Sequence, residues 1–85
     1  MKEFSYVITD SEGIHARPAG LLVKEAAKFQ SDIKLKKGDK EADAKRIFGV
    51  MGLAVKCGEE IVMTADGADE EEAIAAIEAF LKENL

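Results

Sequence analysis

The sequence predicts a small α+β fold: an open-faced β-sandwich of element order βαββαβα, with a four-stranded, mainly antiparallel sheet carrying three helices on one face. Three observations lead there. Three short segments alternate apolar and polar residues with period two and a hairpin turn adds a fourth strand, three other segments repeat apolar residues every three or four positions, and Gly or Asp stands at most of the joins. Short strands joined by one hairpin and by helical crossovers are expected to gather all the helices on a single sheet face.

The elements follow in order. Phe4, Tyr6 and Ile8 alternate with Glu3, Ser5 and Val7, the pattern of a strand with one buried face, and Asp10-Ser11-Glu12-Gly13 ends it. From Ala16 to Lys28, Ala19, Leu22, Val23, Ala26 and Phe29 fall on one helical face, and Pro18 suits the first turn because its missing N–H has no partner there. Ile33 and Leu35 mark a second strand, Lys37-Gly38-Asp39 a tight hairpin turn, and residues 40–42 a short third strand. Asp43 is expected to cap a short helix over 44–53, whose Ile47, Val50, Met51 and Leu53 are apolar although Gly49 and Gly52 weaken it. After Gly58, Ile61 and Met63 alternate with Glu60, Val62 and Thr64 in a fourth strand that ends at Asp66-Gly67. The last helix has Asp69 as N-cap with Glu72 three residues on, the pattern of a capping box, and a buried stripe of Ile74, Ile77 and Leu81 flanked by Ala73 and Phe80.

At 85 residues the chain is one domain's worth, expected to span 1–85 without linker or repeat, and too small to enclose a large cofactor. Its 47% hydrophobic and 34% charged residues fit a folded domain rather than a disordered one. The single Cys57 excludes an intrachain disulfide, and with one His it leaves no usual zinc ligand set; a small buried or half-buried filler is the expected role. No apolar run is long enough for a membrane span, and Lys2-Glu3 follow Met1 where a signal region would be apolar, so a cytoplasmic protein is expected. Net charge is −5, but residues 1–30 balance to 0, 31–58 to +3 and 59–85 to −8. The acidity is local, and a neutral or basic working face elsewhere is compatible with it. No basic stripe with interleaved aromatics marks a nucleic-acid partner, and no coiled-coil seam argues against a monomer.

Chemistry concentrates in Gly13-Ile14-His15-Ala16-Arg17-Pro18-Ala19, which sets the only histidine at the start of the first helix. Unpaired N–H groups and the dipole at a helix start make a natural site for a phosphoryl group, and Arg17 adds a permanently charged donor fork two residues away. A neutral imidazole in that setting keeps a nucleophilic ring nitrogen, while its phosphorylated form is surrounded by donors. There is no paired acid and base or second nucleophile of a conventional enzyme.

That segment strongly resembles the active-site signature of HPr, the histidine phosphocarrier family of the phosphoenolpyruvate-dependent sugar phosphotransferase system. Ala44-Lys45 with Gly49-Val50-Met51-Gly52-Leu53 looks like the family's second-helix region, and Thr64 to Glu70 like its approach to the last helix. The resemblance implies a stoichiometric carrier, needing no cofactor or metal, that takes phosphate from enzyme I onto His15 and gives it to IIA domains of sugar permeases. In the family the phosphate sits on Nδ1. Arg17 would then stabilise the transferring group, Gly13, Ile14, Ala16 and Pro18 would support the motif, and Ile47, Phe48 and Met51 would present an apolar docking surface. Lys24, Lys28, Lys45, Arg46 and Lys56 would surround it with positive charge. A regulatory or dihydroxyacetone-kinase relay, or a non-phosphorylated module of the same fold, are the alternatives. Many relatives carry a regulatory serine where Arg46 stands, and residues 43–58 contain no Ser, Thr or Tyr, so a carrier without the serine switch is expected.

Overall fold

The computed structural model describes residues 1–85. Its elements are β1 (Lys2–Val7), α1 (Ala16–Ala26), β2 (Asp32–Lys37), β3 (Lys40–Asp43), α2 (Ile47–Gly52), β4 (Glu60–Asp66) and α3 (Glu70–Asn84), in the expected order. The strands lie β1-β4-β2-β3, and each pairing is antiparallel. The hairpin joins β2 to β3 by pairing Lys37 with Lys40, and Gly38 at its first central position takes φ 61, which a side chain would resist.

Period-two alternation decides what each strand buries. Ile33 and Leu35 of β2 and Ile61, Met63 and Ala65 of β4 point into one core with Leu22 and Ala26 of α1 and Ala73, Ile77 and Leu81 of α3. Phe4 and Tyr6 pack against this core only half-buried, because β1 is an edge strand, and Ile8 just beyond it is fully buried. The opposite sheet face is polar, with Lys34 and Lys36 reaching Glu41 at 3.4 and 3.6 Å. Such exposed pairs add little stability. Thr64 shares that face yet is buried, since β4 is central and Glu3 and Lys34 flank it.

Three local expectations are corrected. Asp43 does not cap α2: its carboxylate accepts the Lys45 N–H at 2.9 Å in a turn, and the N-cap falls on Arg46. The capping box between Asp69 and Glu72 does not form either. Asp69 is the N-cap of α3, but its carboxylate accepts the N–H groups of Gln30 and Ser31 at 2.9 Å and the Ser31 hydroxyl, all across the fold, while Glu70 reaches back to the Gly67 N–H at 3.2 Å. A tertiary partner has displaced a local one. In α3 the fully buried line is Ala73, Ile77 and Leu81, with Ile74 on its flank.

These hydrogen bonds, the Ser31 hydroxyl first, hold the Asp69 carboxyl below its ordinary value of 3.8. A lowered folded value means that the carboxylate's stabilisation is complete above the ordinary value and is lost as pH falls through the folded one. Ser31→Ala is therefore expected to lower the thermal midpoint at pH 7 by roughly 5 °C, the scale of one lost hydrogen bond in a chain of this size. Thermal scans should show the difference shrinking once the pH drops below Asp69's folded value.

Candidate phosphoryl-accepting site

The turn before α1 is built to present one side chain. Asp10 accepts the Glu12 N–H on its carboxylate at 2.8 Å and the Gly13 N–H on its carbonyl at 2.9 Å, closing the loop on itself. Thr9 and Asp10 donate their N–H groups to the Leu85 carbonyl at 2.6 and 3.0 Å, tying the loop to the end of α3. Gly13 then takes φ 69 with its α-carbon against the backbone of Val55 and Lys56, and Ile14, buried, donates its N–H to the Val55 carbonyl at 3.0 Å. His15 emerges from this anchor as the N-cap of α1, in extended conformation at φ −94 and ψ −175.

Its carbonyl accepts the Ala19 N–H at 3.0 Å, but its side chain makes no cap bond. The N–H groups of Ala16 and Arg17 find no acceptor in the protein, and Pro18, in the first turn as expected, has none to offer. The helix mouth thus turns free donors and the positive dipole end toward the imidazole. Arg17 is exposed and enters no ion pair or hydrogen bond, so its guanidinium is available. Asp10, His15, Arg17, Pro18, Leu21 and Asn84 line a shallow open cleft of about 250 Å³.

The surroundings of the ring are not uniformly positive, as the helix end and Arg17 alone would imply. Its Nε2 lies 3.4 Å from Glu12 Oε2 and 3.9 Å from Asp10 Oδ1. In the sequence both acids read as turn residues, and neither Asn84 nor Leu21 stands out as a neighbour of His15. Leu21 had one available signal, being a large apolar residue off the buried stripe of α1, where it is 41% exposed.

The proposed docking residues separate into groups. Phe48 is 87% exposed and Met51 39%, whereas Ile47 is half-buried and packs toward Gly20 of α1. An aromatic side chain left so exposed on a six-residue helix contributes little to the core, and with Met51 it forms an apolar patch open to solvent. Arg46 is exposed, with Asp43 at 3.9 Å, and Lys24 is exposed in α1. Lys45 is otherwise engaged: its ammonium donates to the Phe29 carbonyl at 2.7 Å, beyond the C-terminal end of α1. Lys28 pairs with Glu25 at 3.3 Å. The expectation of a buried or half-buried Cys57 is overturned. It is exposed in the turn before β4, its thiol 3.7 Å from the Thr9 carbonyl, because backbone hydrogen bonds and not side-chain packing hold that turn.

The family model for the PTS HPr component phosphorylation site matches residues 2–83, nearly the whole chain. The chain belongs to the HPr family. The phosphocarrier protein HPr of Mycoplasma genitalium is 49% identical over 85 residues, covering 99% of this chain and 97% of that relative. A solved histidine-containing phosphocarrier protein from mycoplasma superposes with a TM-score of 0.94 at 45% identity, covering 96% of this chain and 93% of its own. HPr from Thermoanaerobacter tengcongensis does so with 0.93 at 43% identity, covering 98% and 93%. Membership makes the chain a phosphocarrier of the phosphotransferase system. No helix is long and apolar enough to cross a membrane.

Proposed function

We propose that the chain, working as a single domain and a monomer in the cytoplasm, accepts one phosphoryl group from enzyme I on His15 Nδ1 and donates it to IIA domains of sugar permeases. One observation carries this reading: the imidazole stands at the mouth of α1, whose Ala16 and Arg17 amides are free, and it lines one open cleft together with Arg17. Asp10 and Glu12 beside Nε2 favour a ring that keeps its proton on that side. The Nδ1 lone pair is then free to attack phosphorus. As the new N–P bond forms, the bond to the donor breaks and the donor group keeps the electron pair. The reverse sequence delivers the phosphoryl group to the acceptor domain. The chain supplies positioning and charge stabilisation, and it is used stoichiometrically. Incubation with enzyme I and phosphoenolpyruvate, followed by a IIA domain, tests the relay: one acid-labile phosphoryl group should be gained and then passed on, and failure to gain it would refute the proposal.

Arg17 is assigned to the charge on the transferring group, not to the fold, since it is exposed and makes no ion pair or hydrogen bond within the protein. Arg17→Ala should slow transfer roughly 100-fold, the scale of removing one preorganised donor, with an unchanged thermal midpoint. Stopped-flow transfer rates that match the parent with both donor and acceptor would remove Arg17 from the mechanism.

Arg46 stands at the N-cap of α2 with an exposed side chain and no hydroxyl. A serine kinase acting on HPr proteins should therefore leave this protein unmodified and should phosphorylate the Arg46→Ser variant, approaching one phosphate per chain by mass. Phosphate at Ser5, Ser11 or Ser31 of the parent would mean that the switch had moved rather than vanished.

A further inference from the structure

Lys37 continues the inward positions of β2 after Ile33 and Leu35, yet it ends in a charge. The side chain is only 25% exposed, and its ammonium lies 3.1 Å from each of three acceptors: the Leu53 carbonyl, the Ala54 carbonyl and Glu59 Oε1. An ammonium has three donors, and this geometry engages all of them. Leu53 is the C-cap of α2, and Ala54 follows in the left-handed region at φ 51, the only residue other than glycine with positive φ. A helix of six residues containing two glycines has little stability of its own, and Lys37 covers its unpaired terminal carbonyls.

The same cluster reaches the site. Glu59 also accepts the Lys56 N–H at 2.7 Å, and Lys56 and Lys37 together hold its carboxyl below the ordinary range. Residues 53–59 thus form a strap fixed at both ends. From this strap the Val55 carbonyl accepts the Ile14 N–H at 3.0 Å, Gly58 donates to the Ile8 carbonyl at 2.7 Å, and Ile8 donates to the Glu59 carbonyl at 3.0 Å. Those bonds flank the loop that delivers His15 on either side.

We propose that Lys37 is a positioning residue for phosphoryl transfer, its ammonium locking the strap that joins the docking helix α2 to the His15 loop. The proposal rests on the reading of His15 and α2 given above. Lys37→Met keeps the aliphatic stem and removes the charge. It should lower kcat/KM for phosphorylation by enzyme I about tenfold, the scale of one charge-assisted hydrogen bond, and accelerate amide exchange at Ile14 by a similar factor. Lys37→Arg should recover at least half of the activity. Ala75→Gly, at an exposed position of α3, serves as the control for lost stability, with parental kcat/KM expected. Parental kcat/KM in a folded Lys37→Met protein, or equal slowing by Ala75→Gly at a matched thermal midpoint, would overturn the proposal. Should Lys37→Met fail to fold, Glu59→Gln replaces it, with a smaller loss of kcat/KM expected and an unchanged value counting against the strap. Ile14 exchange is measured without any phosphoryl donor, so a failure of the strap is distinguishable from a failure of His15 as acceptor.

Discussion

His15→Ala is expected to abolish phosphoryl uptake from enzyme I and phosphoenolpyruvate while leaving the thermal midpoint nearly unchanged. The two halves follow from the same geometry. His15 contributes its backbone to α1, accepting the Ala19 N–H, and any residue can do that. Its side chain makes no capping bond, so truncation costs stability only on the scale of a surface substitution, within about 0.5 kcal/mol. No other imidazole exists in the chain to take over. Radiolabel transfer with a thermal scan on the same sample checks both halves, and residual phosphorylation at the parental rate would move the site elsewhere.

Gly13→Ala should produce the largest loss of stability among the site variants. The backbone there has φ 69, and an added Cβ would lie within 2.7 Å of the Lys56 α-carbon and closer still to the Val55 carbonyl oxygen. Both obstacles are backbone, so neither can rotate away. Left-handed strain and forced displacement together are worth about 3 kcal/mol, and for a chain of this size that corresponds to roughly 15 °C in the thermal midpoint. The displacement also acts on Ile14 and hence on the position of His15, so transfer should slow even well below the midpoint. Denaturant titration and transfer rates at low temperature separate the two effects. A variant with parental stability would show that the loop can move away from Val55.

What the sequence made legible was whatever repeats locally. Ile33 and Leu35, Ile61 and Met63, and Ala19, Leu22 and Ala26 announce their faces by spacing alone, and each is buried as expected. His15 before Pro18 announced a helix start in the same way. What remained hidden depends on partners distant in sequence. Asp69 has the residue type of a local cap, but Ser31, 38 positions away, makes the better offer. Asp43 and Arg46 lie close enough that a turn and a cap look alike in sequence. Lys37 carried no signal at all, because a lysine at a strand end is ordinarily solvated and its three acceptors come from 16 to 22 residues later. Asp10 and Glu12 were visible as turn formers, and only the folded loop shows them facing Nε2.

Nuclear magnetic resonance of protein labelled with ¹⁵N in the imidazole ring, recorded before and after phosphorylation by enzyme I, tests the central claim atom by atom. The account predicts that His15 Nδ1 acquires coupling to phosphorus while Nε2, facing Glu12 and Asp10, retains its proton. A phosphoryl group on Nε2, or an unchanged His15 ring with phosphate on a hydroxyl side chain, would contradict it.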